Sequence, residues 1–268
     1  MSRAPRKERA FPWAAMLLLC LIIVVSTADR QIIALIKPVL DQTFGWSARD
    51  YARISFWTQV ASACSLLASG WLVDRLGSRR VLGVALAGWS LMTVLHAVVT
   101  TVREFILVRS TLGALEGAGM PSLMKLIATG VPRAERARVI GMVNAVPNIA
   151  AVITPVLVGL LLPWVGWKAL VVGLGLTGVV LAGLWLRDRS GPWSAQSSGV
   201  KHEPAPSVPG AVAGEALRSA PGFARVGVWR FVVVFSLCKV LSDATWWVLL
   251  YWLPDILHTH LSLSLRGV

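Results

Sequence analysis

The stretch FILVRSTLGALEGAGMPSLMKLIATGV, residues 105–131, decides how the rest of this chain is interpreted. It is long and apolar enough to cross a bilayer as a helix, which takes roughly 20 residues, yet it contains Arg109 and Glu116. At about 3.6 residues per turn, this spacing places both charges on one helix face. Because a charge inside a membrane persists where it faces a partner or a watery cavity, the segment is predicted to line a charged pathway. Small residues beside the charges, which let neighbouring helices approach closely, are Gly113, Gly117 and Gly119.

The composition is that of an integral membrane protein. The chain has 268 residues, of which 56% are hydrophobic, and its mean hydropathy is +0.68; soluble domains are roughly 45–50% apolar. The net charge of +13 does not indicate nucleic acid, because the basic residues fall in clusters between long apolar runs. The lipid bilayer is therefore an expected partner and nucleic acid is not. The cysteines lie within apolar runs without metal-site spacing, and no catalytic motif is present, so we expect no cofactor, no metal and no enzymatic activity.

Seven spans are predicted, all of them helical because a lipid-exposed backbone must satisfy its own hydrogen bonds. A secretory signal is the alternative for the first, since basic residues precede it and Ser26-Thr27-Ala28 resembles a cleavage site. The apolar run resumes at Ile32, however, and more spans follow, which favours a transmembrane helix. The predicted spans are Trp13–Ile36, Ala52–Val73, Val81–Thr101, Phe105–Val131, Val139–Leu162, Trp167–Leu186 and Val228–Leu253.

The distribution of Lys and Arg predicts the orientation. These residues are concentrated before the first span, between the second and third spans, between the fourth and fifth, and after the sixth. The positive-inside rule then places the N-terminus in the cytoplasm of a cell whose inner membrane the protein crosses several times. Residues 188–227 are rich in Ser, Pro, Gly and Ala and are predicted to be a flexible cytoplasmic linker. The linker separates a six-helix bundle, 1–187, from a seventh helix in 228–268.

A second charged stretch, Asp29-Arg30-Gln31, lies late in the first span. Because the first and fourth spans run in opposite directions, it is expected at the depth of Arg109 and Glu116. Arginine presents a planar fork to a carboxylate, and a buried carboxyl group can load and release a proton. The constellation therefore predicts proton-coupled transport of an organic anion. The alternative is structural ion pairing of Asp29 with Arg109 and of Arg30 with Glu116. Lys125, farther along the fourth span, is predicted to extend its ammonium group to the membrane surface.

The loop after the second span reads GWLVDRLGSRR and resembles the signature loop of the major facilitator superfamily. In physical terms it is a tight basic turn with one acidic residue. The loop from Pro132 to Arg138 resembles its counterpart in the second repeat of that family. The resemblance implies an all-α fold in which six helices form two inverted three-helix repeats. The residues of the signature loop expected to act in conformational change are Gly70, Asp74, Arg75, Gly77, Arg79 and Arg80.

A narrower resemblance covers nearly the whole chain. Asp29-Arg30-Gln31, Phe44-Gly45-Trp46-Ser47, the Arg109 and Glu116 spacing, Trp246-Trp247 and Trp252-Leu253-Pro254 are similar to the anion:cation symporter family, especially its hexuronate and sugar-acid transporters. The resemblance implies that Arg30, Arg109 and Gln31 bind the substrate anion, and that Asp29 and Glu116 couple its movement to protons.

Several positions depart from that family pattern. Thr27 and Ser62 stand where tyrosines are common, and Leu123 and Met124 stand where an asparagine is common. These changes remove groups that would hydrogen-bond a polyol, so a less hydroxylated carboxylate is an open alternative.

The number of spans also departs from the family. The resemblance implies twelve, with the substrate bound between two six-helix halves, whereas seven are predicted here. Most of the C-terminal half is therefore expected to be absent or to be supplied by a partner. The alternative to a transporter is a truncated, non-transporting membrane fragment or assembly partner.

Overall fold

The computed structural model describes residues 13–188 and 222–261, and these residues form helices joined by short turns. No strand occurs in the described ranges, so the predicted all-α class is confirmed. The helices are α1 (Trp13–Phe44), α2 (Ala48–Leu76), α3 (Ser78–Leu95), α4 (Val102–Gly117), α5 (Gly119–Gly130), α6 (Arg133–Arg187) and α7 (Gly222–Leu261).

The turn between α1 and α2 follows directly from its sequence. Gly45 has φ +67°, a conformation that side chains disfavour. Ser47 then caps α2: its hydroxyl oxygen accepts from the Asp50 N–H, and the Asp50 carboxylate accepts from the Ser47 N–H. Trp46 folds inward, where its ring meets that of Phe105 edge to face at 4.6 Å between centroids. This turn anchors α1 and α2 against the start of α4.

The third helix is shorter than predicted. It ends at Leu95 and not at Thr101, because Thr101 serves as the N-cap of α4. Its hydroxyl oxygen accepts from the Glu104 N–H, while the Glu104 carboxylate accepts from the Thr101 N–H at 3.0 Å. This reciprocal capping box satisfies main-chain donors at the start of α4, so the fourth helix begins at Val102, ahead of the predicted Phe105.

The segment predicted as one span, Phe105–Val131, is two helices. It is interrupted at Ala118, between α4 and α5. Pro121 has no N–H to donate to the Gly117 carbonyl four residues earlier, and this loss breaks the hydrogen-bond pattern. Arg109 and Glu116 both precede the break, so the inference that they share one face of α4 is unaffected.

The predicted fifth and sixth spans are the two arms of α6. The helix bends at Gly166, which has φ +73° and ψ 163°, a conformation that glycine adopts without a steric cost. The arms, 133–165 and 167–187, both pack into the bundle: α6 contacts α1 and α3. A single glycine thus reverses the chain between two helical arms, which correspond to the two helices that the sequence pattern predicts.

The seventh helix begins earlier than predicted. It starts at Gly222, inside the predicted linker 188–227; apart from Asp188 and 222–227, that linker lies outside the described residues. α7 packs against α1. The ring of Trp252 meets that of Tyr51 edge to face at 5.7 Å. The structure does not describe the other side chains of this helix that resemble the anion:cation symporter family, namely those of Trp246, Trp247, Leu253 and Pro254.

The buried apolar side chains form two main clusters at different levels of the bundle. In the first cluster, α1 contributes residues from Ala15 to Val25. In the second, α1 contributes residues from Ile32 to Leu40. Two other helices contribute to both clusters: α4 contributes Leu112 to the first and Phe105 to the second, and α6 contributes Val143 to the first and Val158 to the second. The interval between the two clusters contains the polar residues of α1.

Two glycines of α4 set its distance from α2. A Cβ atom added to Gly113 would lie 2.6 Å from the Thr58 carbonyl oxygen, and one added to Gly117 would lie 2.6 Å from the Ser62 carbonyl oxygen. Both distances are far inside normal contact and involve main-chain atoms, which do not rotate away. The predicted close approach at these two glycines is confirmed. A Cβ atom added to Gly119 would instead make only an ordinary van der Waals contact.

We expect Gly117→Ala to destabilise the bundle, because α4 must move away from α2 to relieve the clash. Overpacking of this kind costs about 1–3 kcal/mol. Gly159→Ala is the matched control, since a Cβ at Gly159 meets nothing within 4 Å and alanine favours a helix over glycine. Thermal unfolding of the two purified variants in detergent measures the difference; equal midpoints would contradict the close packing of α2 and α4.

Three described helices are individually long and apolar enough to cross a membrane. They are Trp13–Phe44, Ala48–Leu76 and the bent helix over Ala134–Arg187. Large apolar side chains also lie on the outside of the bundle, among them Leu67 and Trp164, which are 86% and 87% exposed. An exterior of this kind suits a lipid or protein environment and not water.

Candidate functional site

A layer of polar side chains separates the two apolar clusters. We define this polar layer by the groups that α1, α3 and α4 direct into the interval: Ser26, Asp29, Arg30, Gln31, Ser90, Thr93, Arg109 and Glu116. It exists because α1 changes from apolar to polar after Val25 and back at Ile32, while α4 carries Arg109 and Glu116 on one face. The structure therefore brings together the four charged residues of the predicted site, Asp29, Arg30, Arg109 and Glu116, whereas Lys125 of the predicted fourth span lies outside this layer.

Arg30 and Glu116 form the ion pair of this layer. The Arg30 Nε atom lies 3.1 Å from Glu116 Oε2, and the Ser26 hydroxyl donates to Oε1 at 3.3 Å. The two partners differ in access, because the Arg30 side chain is 42% exposed and that of Glu116 only 7%. The pairing of Arg30 with Glu116, which the sequence offered as the structural alternative, is therefore present, and the arginine is its more exposed member.

Arg109 is buried and bonds to the main chain of α1. Its Nη2 atom lies 3.3 Å from the carbonyl oxygens of both Asp29 and Arg30. The ion pair between Asp29 and Arg109, the other half of the structural alternative, is therefore not formed among the described residues. The reason is that the Asp29 side chain leaves α1 toward α3, whereas Arg109 approaches from α4. In this conformation Arg109 joins α4 to α1 through two charge-assisted hydrogen bonds.

Asp29 is almost completely buried, with 1% of its surface exposed. Its Oδ1 atom lies 2.8 Å from the Thr93 hydroxyl on α3. Its Oδ2 atom has no hydrogen-bond partner among the described residues. Gln31, predicted to contact substrate, is likewise buried, and its side-chain oxygen has no partner in the described part of the chain. Neither residue is at an open surface in this conformation.

The contribution of α3 was not predicted from the sequence. Ser90 and Thr93 of α3 and its C-cap residue His96 recur at three-residue spacing in an apolar stretch, which places them on one face. All three are buried, and Thr93 contacts Asp29. That spacing was the available signal for a third wall of the polar layer.

The loop between α2 and α3 is held by contacts of different kinds. Gly77, with φ +83°, ends α2 and begins α3, and its N–H donates to the Val73 carbonyl. Asp74 pairs with Lys125 of α5 at 2.6 Å, so the lysine predicted to reach the membrane surface alone has an acidic partner. The Arg75 guanidinium lies 4.4 Å from the centre of the Trp71 ring.

Arg79 ties this loop to the end of α6. Its Nη2 atom donates to the Trp185 carbonyl at 3.0 Å, and the Trp185 indole N–H donates back to the Arg79 carbonyl at 3.1 Å. Both side chains are buried. By contrast, Gly70 and Arg80 are exposed. The neighbouring arginines Arg79 and Arg80 therefore differ, the first being buried and the second exposed to the surroundings of the bundle.

Comparison with known proteins identifies the family. The profile of the Major Facilitator Superfamily matches residues 19–268. This chain belongs to the Major Facilitator Superfamily. The predicted family and fold are confirmed, and the superfamily membership makes this a multi-pass membrane protein that is not an enzyme.

The relatives of this superfamily member are transporters. It is 27% identical over 259 residues to the probable L-galactonate transporter of Escherichia coli (strain K12), covering 94% of this chain and 56% of that protein. It is 29% identical over 219 residues to the gallate transporter of Pseudomonas putida, covering 81% of this chain and 48% of the relative. The chain thus spans about half the length of the curated relatives it matches.

A solved structure shows the same fold. The crystal structure of a bacterial homolog to the human lysosomal transporter Spinster, in an inward-facing and unoccupied conformation, aligns with a TM-score of 0.71. The alignment covers 97% of this chain and 58% of that chain at 19% sequence identity. At this identity the likeness concerns the superfamily fold alone.

Proposed function

We propose that this chain forms the N-terminal part of a secondary transporter that moves an organic anion together with protons across the inner membrane. The observation that carries the proposal is the ion pair between Arg30 and Glu116, whose basic member is accessible and whose acidic member is buried. The relatives named as L-galactonate and gallate transporters support an organic-anion cargo.

The ion pair provides a simple means of coupling. An incoming carboxylate competes with Glu116 for the Arg30 guanidinium, and a bidentate arginine–carboxylate contact is strong and directional. If Glu116 binds a proton, its hold on Arg30 weakens and the guanidinium becomes available to the substrate. One anion and one proton then enter together, so the net charge of the polar layer does not change. Leaving either partner of a buried pair uncompensated would instead be strongly unfavourable.

The proposed substrate is a small carboxylate, with a hexuronate or other sugar acid as the leading candidate. Galactonate and gallate, the compounds in the relatives' names, share a carboxylate and several hydroxyl groups. In the polar layer, Arg30 is the group that would receive the carboxylate, while Arg109 holds the main chain beside it. We retain substrate contact by Arg109 and Gln31 as proposals for a conformation in which α1 and α4 separate.

The organisation of the complete transporter is part of this proposal. Residues 1–187 would form the N-terminal bundle with a cytoplasmic N-terminus, 188–227 the cytoplasmic linker, and 228–268 the start of the second half. The contact of α7 with α1 supports this arrangement, because it places the seventh helix beside the bundle. The missing part of the pathway would come from a C-terminal half or a partner chain.

Uptake in bacterial membranes tests the function. The 268-residue chain is expressed alone and joined to the second half of the Escherichia coli L-galactonate relative. Labelled galacturonate, galactonate and gallate are then followed with and without an inward proton gradient. We expect gradient-dependent uptake of at least one carboxylate by the joined protein. No uptake by either protein above vector cells would favour the alternative of a non-transporting fragment or assembly partner.

A further inference from the structure

We propose that Thr93 is a positioning residue for proton binding at Asp29, which it holds as a neutral carboxylic acid in this conformation. The inference rests on the proposed function in assigning a transport role to that proton. It adds a residue of α3 to a site that the sequence patterns place on the first and fourth spans. Its basis is the direction in which the Thr93 hydroxyl donates.

The Thr93 hydroxyl lies between two oxygen atoms. It is 3.0 Å from the Trp89 carbonyl oxygen and 2.8 Å from Asp29 Oδ1. A hydroxyl group has a single proton but two lone pairs, whereas a carbonyl oxygen only accepts. If the hydroxyl donates to Trp89, the contact with Asp29 is a hydrogen bond only when Asp29 donates. That requires a proton on Asp29 Oδ1.

Other threonines in these helices show which direction the hydroxyl takes. They donate to the carbonyl oxygen four residues earlier, at distances from 2.6 to 3.2 Å, which is a common use of a helical threonine. Thr93 has the same relation to Trp89. Its lone pairs are therefore left to accept from Asp29. The threonines that show this pattern are Thr27, Thr43, Thr58, Thr111, Thr129, Thr154, Thr177 and Thr245.

The second oxygen of Asp29 supports the same protonation state. Asp29 Oδ2 is buried and has no hydrogen-bond partner among the described residues. A charged carboxylate oxygen in that position would incur a large desolvation cost, while the carbonyl oxygen of a neutral acid incurs a much smaller one. A proton on Oδ1, received by Thr93, leaves Oδ2 as that neutral carbonyl oxygen.

The charged groups around Asp29 determine the net charge of the polar layer. The charged groups that act on it are Arg30 of its own helix and Arg109 and Glu116 of α4; the described residues of α6 and α7 add none to this set. His96, the C-cap residue of α3, lies one turn beyond Thr93, with its Nδ1 atom 2.8 Å from the Met92 carbonyl oxygen. With Asp29 neutral, two guanidinium groups face one carboxylate. The layer then carries a net positive charge suited to an anion.

Release of the proton reverses the hydrogen bond. The Asp29 O–H bond breaks, its electron pair stays on the carboxylate, and the proton leaves for the aqueous side that the carrier faces. The Thr93 hydroxyl then rotates to donate to Asp29. The Trp89 carbonyl loses this second contact but keeps the main-chain hydrogen bond that belongs to the helix. Thr93 can therefore form a hydrogen bond with Asp29 in both protonation states of that residue, without a movement of the α3 main chain.

Infrared difference spectroscopy of the purified 268-residue chain in lipid vesicles tests this role, with a pH jump as the only stimulus. We expect a protonated-carboxyl band that Asp29→Asn removes. Thr93→Val, which keeps the shape but lacks the hydroxyl, should shift that band to higher frequency because the acid loses its acceptor. Thr93→Ser should restore the wild-type position. A Glu116→Gln background separates the Asp29 band from that of the second carboxyl group.

Two results would overturn the inference. One is a wild-type spectrum without a band that depends on Asp29, and the other is a band that Thr93→Val leaves in place. If the valine variant does not fold, as judged by circular dichroism, the wild-type and Asp29→Asn spectra still decide whether the acid is protonated. No substrate or second half is needed, so failure of uptake with this band intact contradicts the proposed function alone.

Discussion

Replacing Glu116 with glutamine is expected to abolish proton-driven accumulation while preserving substrate binding. The amide has nearly the shape of a protonated carboxyl group, so it leaves Arg30 available to the anion but cannot take up or release a proton. For one proton carried with each anion, a gradient of one pH unit drives about a tenfold accumulation, equivalent to about 1.4 kcal/mol. The variant should equilibrate its substrate and stop near a ratio of one.

The measurement compares gradient-driven uptake with counterflow of labelled substrate in vesicles containing the transporter joined to a second half. Glu104→Gln is the matched control, since Glu104 is an exposed glutamate of the same helix and glutamine can also fill its position in the capping box. Wild-type accumulation by Glu116→Gln would remove this residue from proton coupling. Loss of counterflow as well would show that the carboxyl group is needed for binding itself.

Replacing Arg109 with alanine is expected to abolish uptake and to weaken the bundle. The guanidinium donates to the carbonyl oxygens of Asp29 and Arg30, so its removal frees the stretch of α1 that positions both groups. Hydrogen bonds from a charged donor contribute about 1.5–3 kcal/mol each. The polar layer would also lose one of its two guanidinium groups and with it the net attraction for an anion.

Initial uptake rates and thermal unfolding in detergent measure the two effects separately. Arg103→Ala is the control, because Arg103 is an exposed arginine of the same helix, about 1.7 turns before Arg109 at 3.6 residues per turn. Arg109→Lys should retain the positive charge but not both hydrogen bonds to the α1 main chain. Relative to Arg109→Ala, we expect it to restore thermal stability more than uptake. Wild-type uptake by Arg109→Ala would exclude this residue from the pathway.

Much of the architecture followed from the sequence pattern. Long apolar runs broken by basic loops predicted a helical membrane protein, and the loop from Gly70 to Arg80 indicated the superfamily that the comparison confirmed. Element boundaries were less accurate where one residue changes the local geometry. Pro121 breaks the predicted fourth span, and Thr101 belongs to the cap of the following helix. The sequence contains those residues, but hydropathy averaged over a window does not register them.

The charged residues that form the site could also be predicted from the sequence, because charges inside a membrane are rare and energetically costly. Asp29 and Arg30 were expected at the depth of Arg109 and Glu116, and Arg30 does contact Glu116. The partners of Asp29 and Arg109 were not predictable in the same way. Which oxygen a long arginine reaches depends on how the helices around α4 pack, and the distance from α4 to α2 is set by Gly113 and Gly117 against main-chain atoms.

The sequence by itself determined that this protein is a helical membrane bundle with charges buried in its first and fourth spans, because hydropathy and charge are properties of residues. Only the tertiary structure decided which charges are paired, which arginine is accessible, and that Thr93 meets Asp29. These contacts join side chains more than sixty positions apart. They depend on the rotation and spacing of packed helices, which no local pattern specifies.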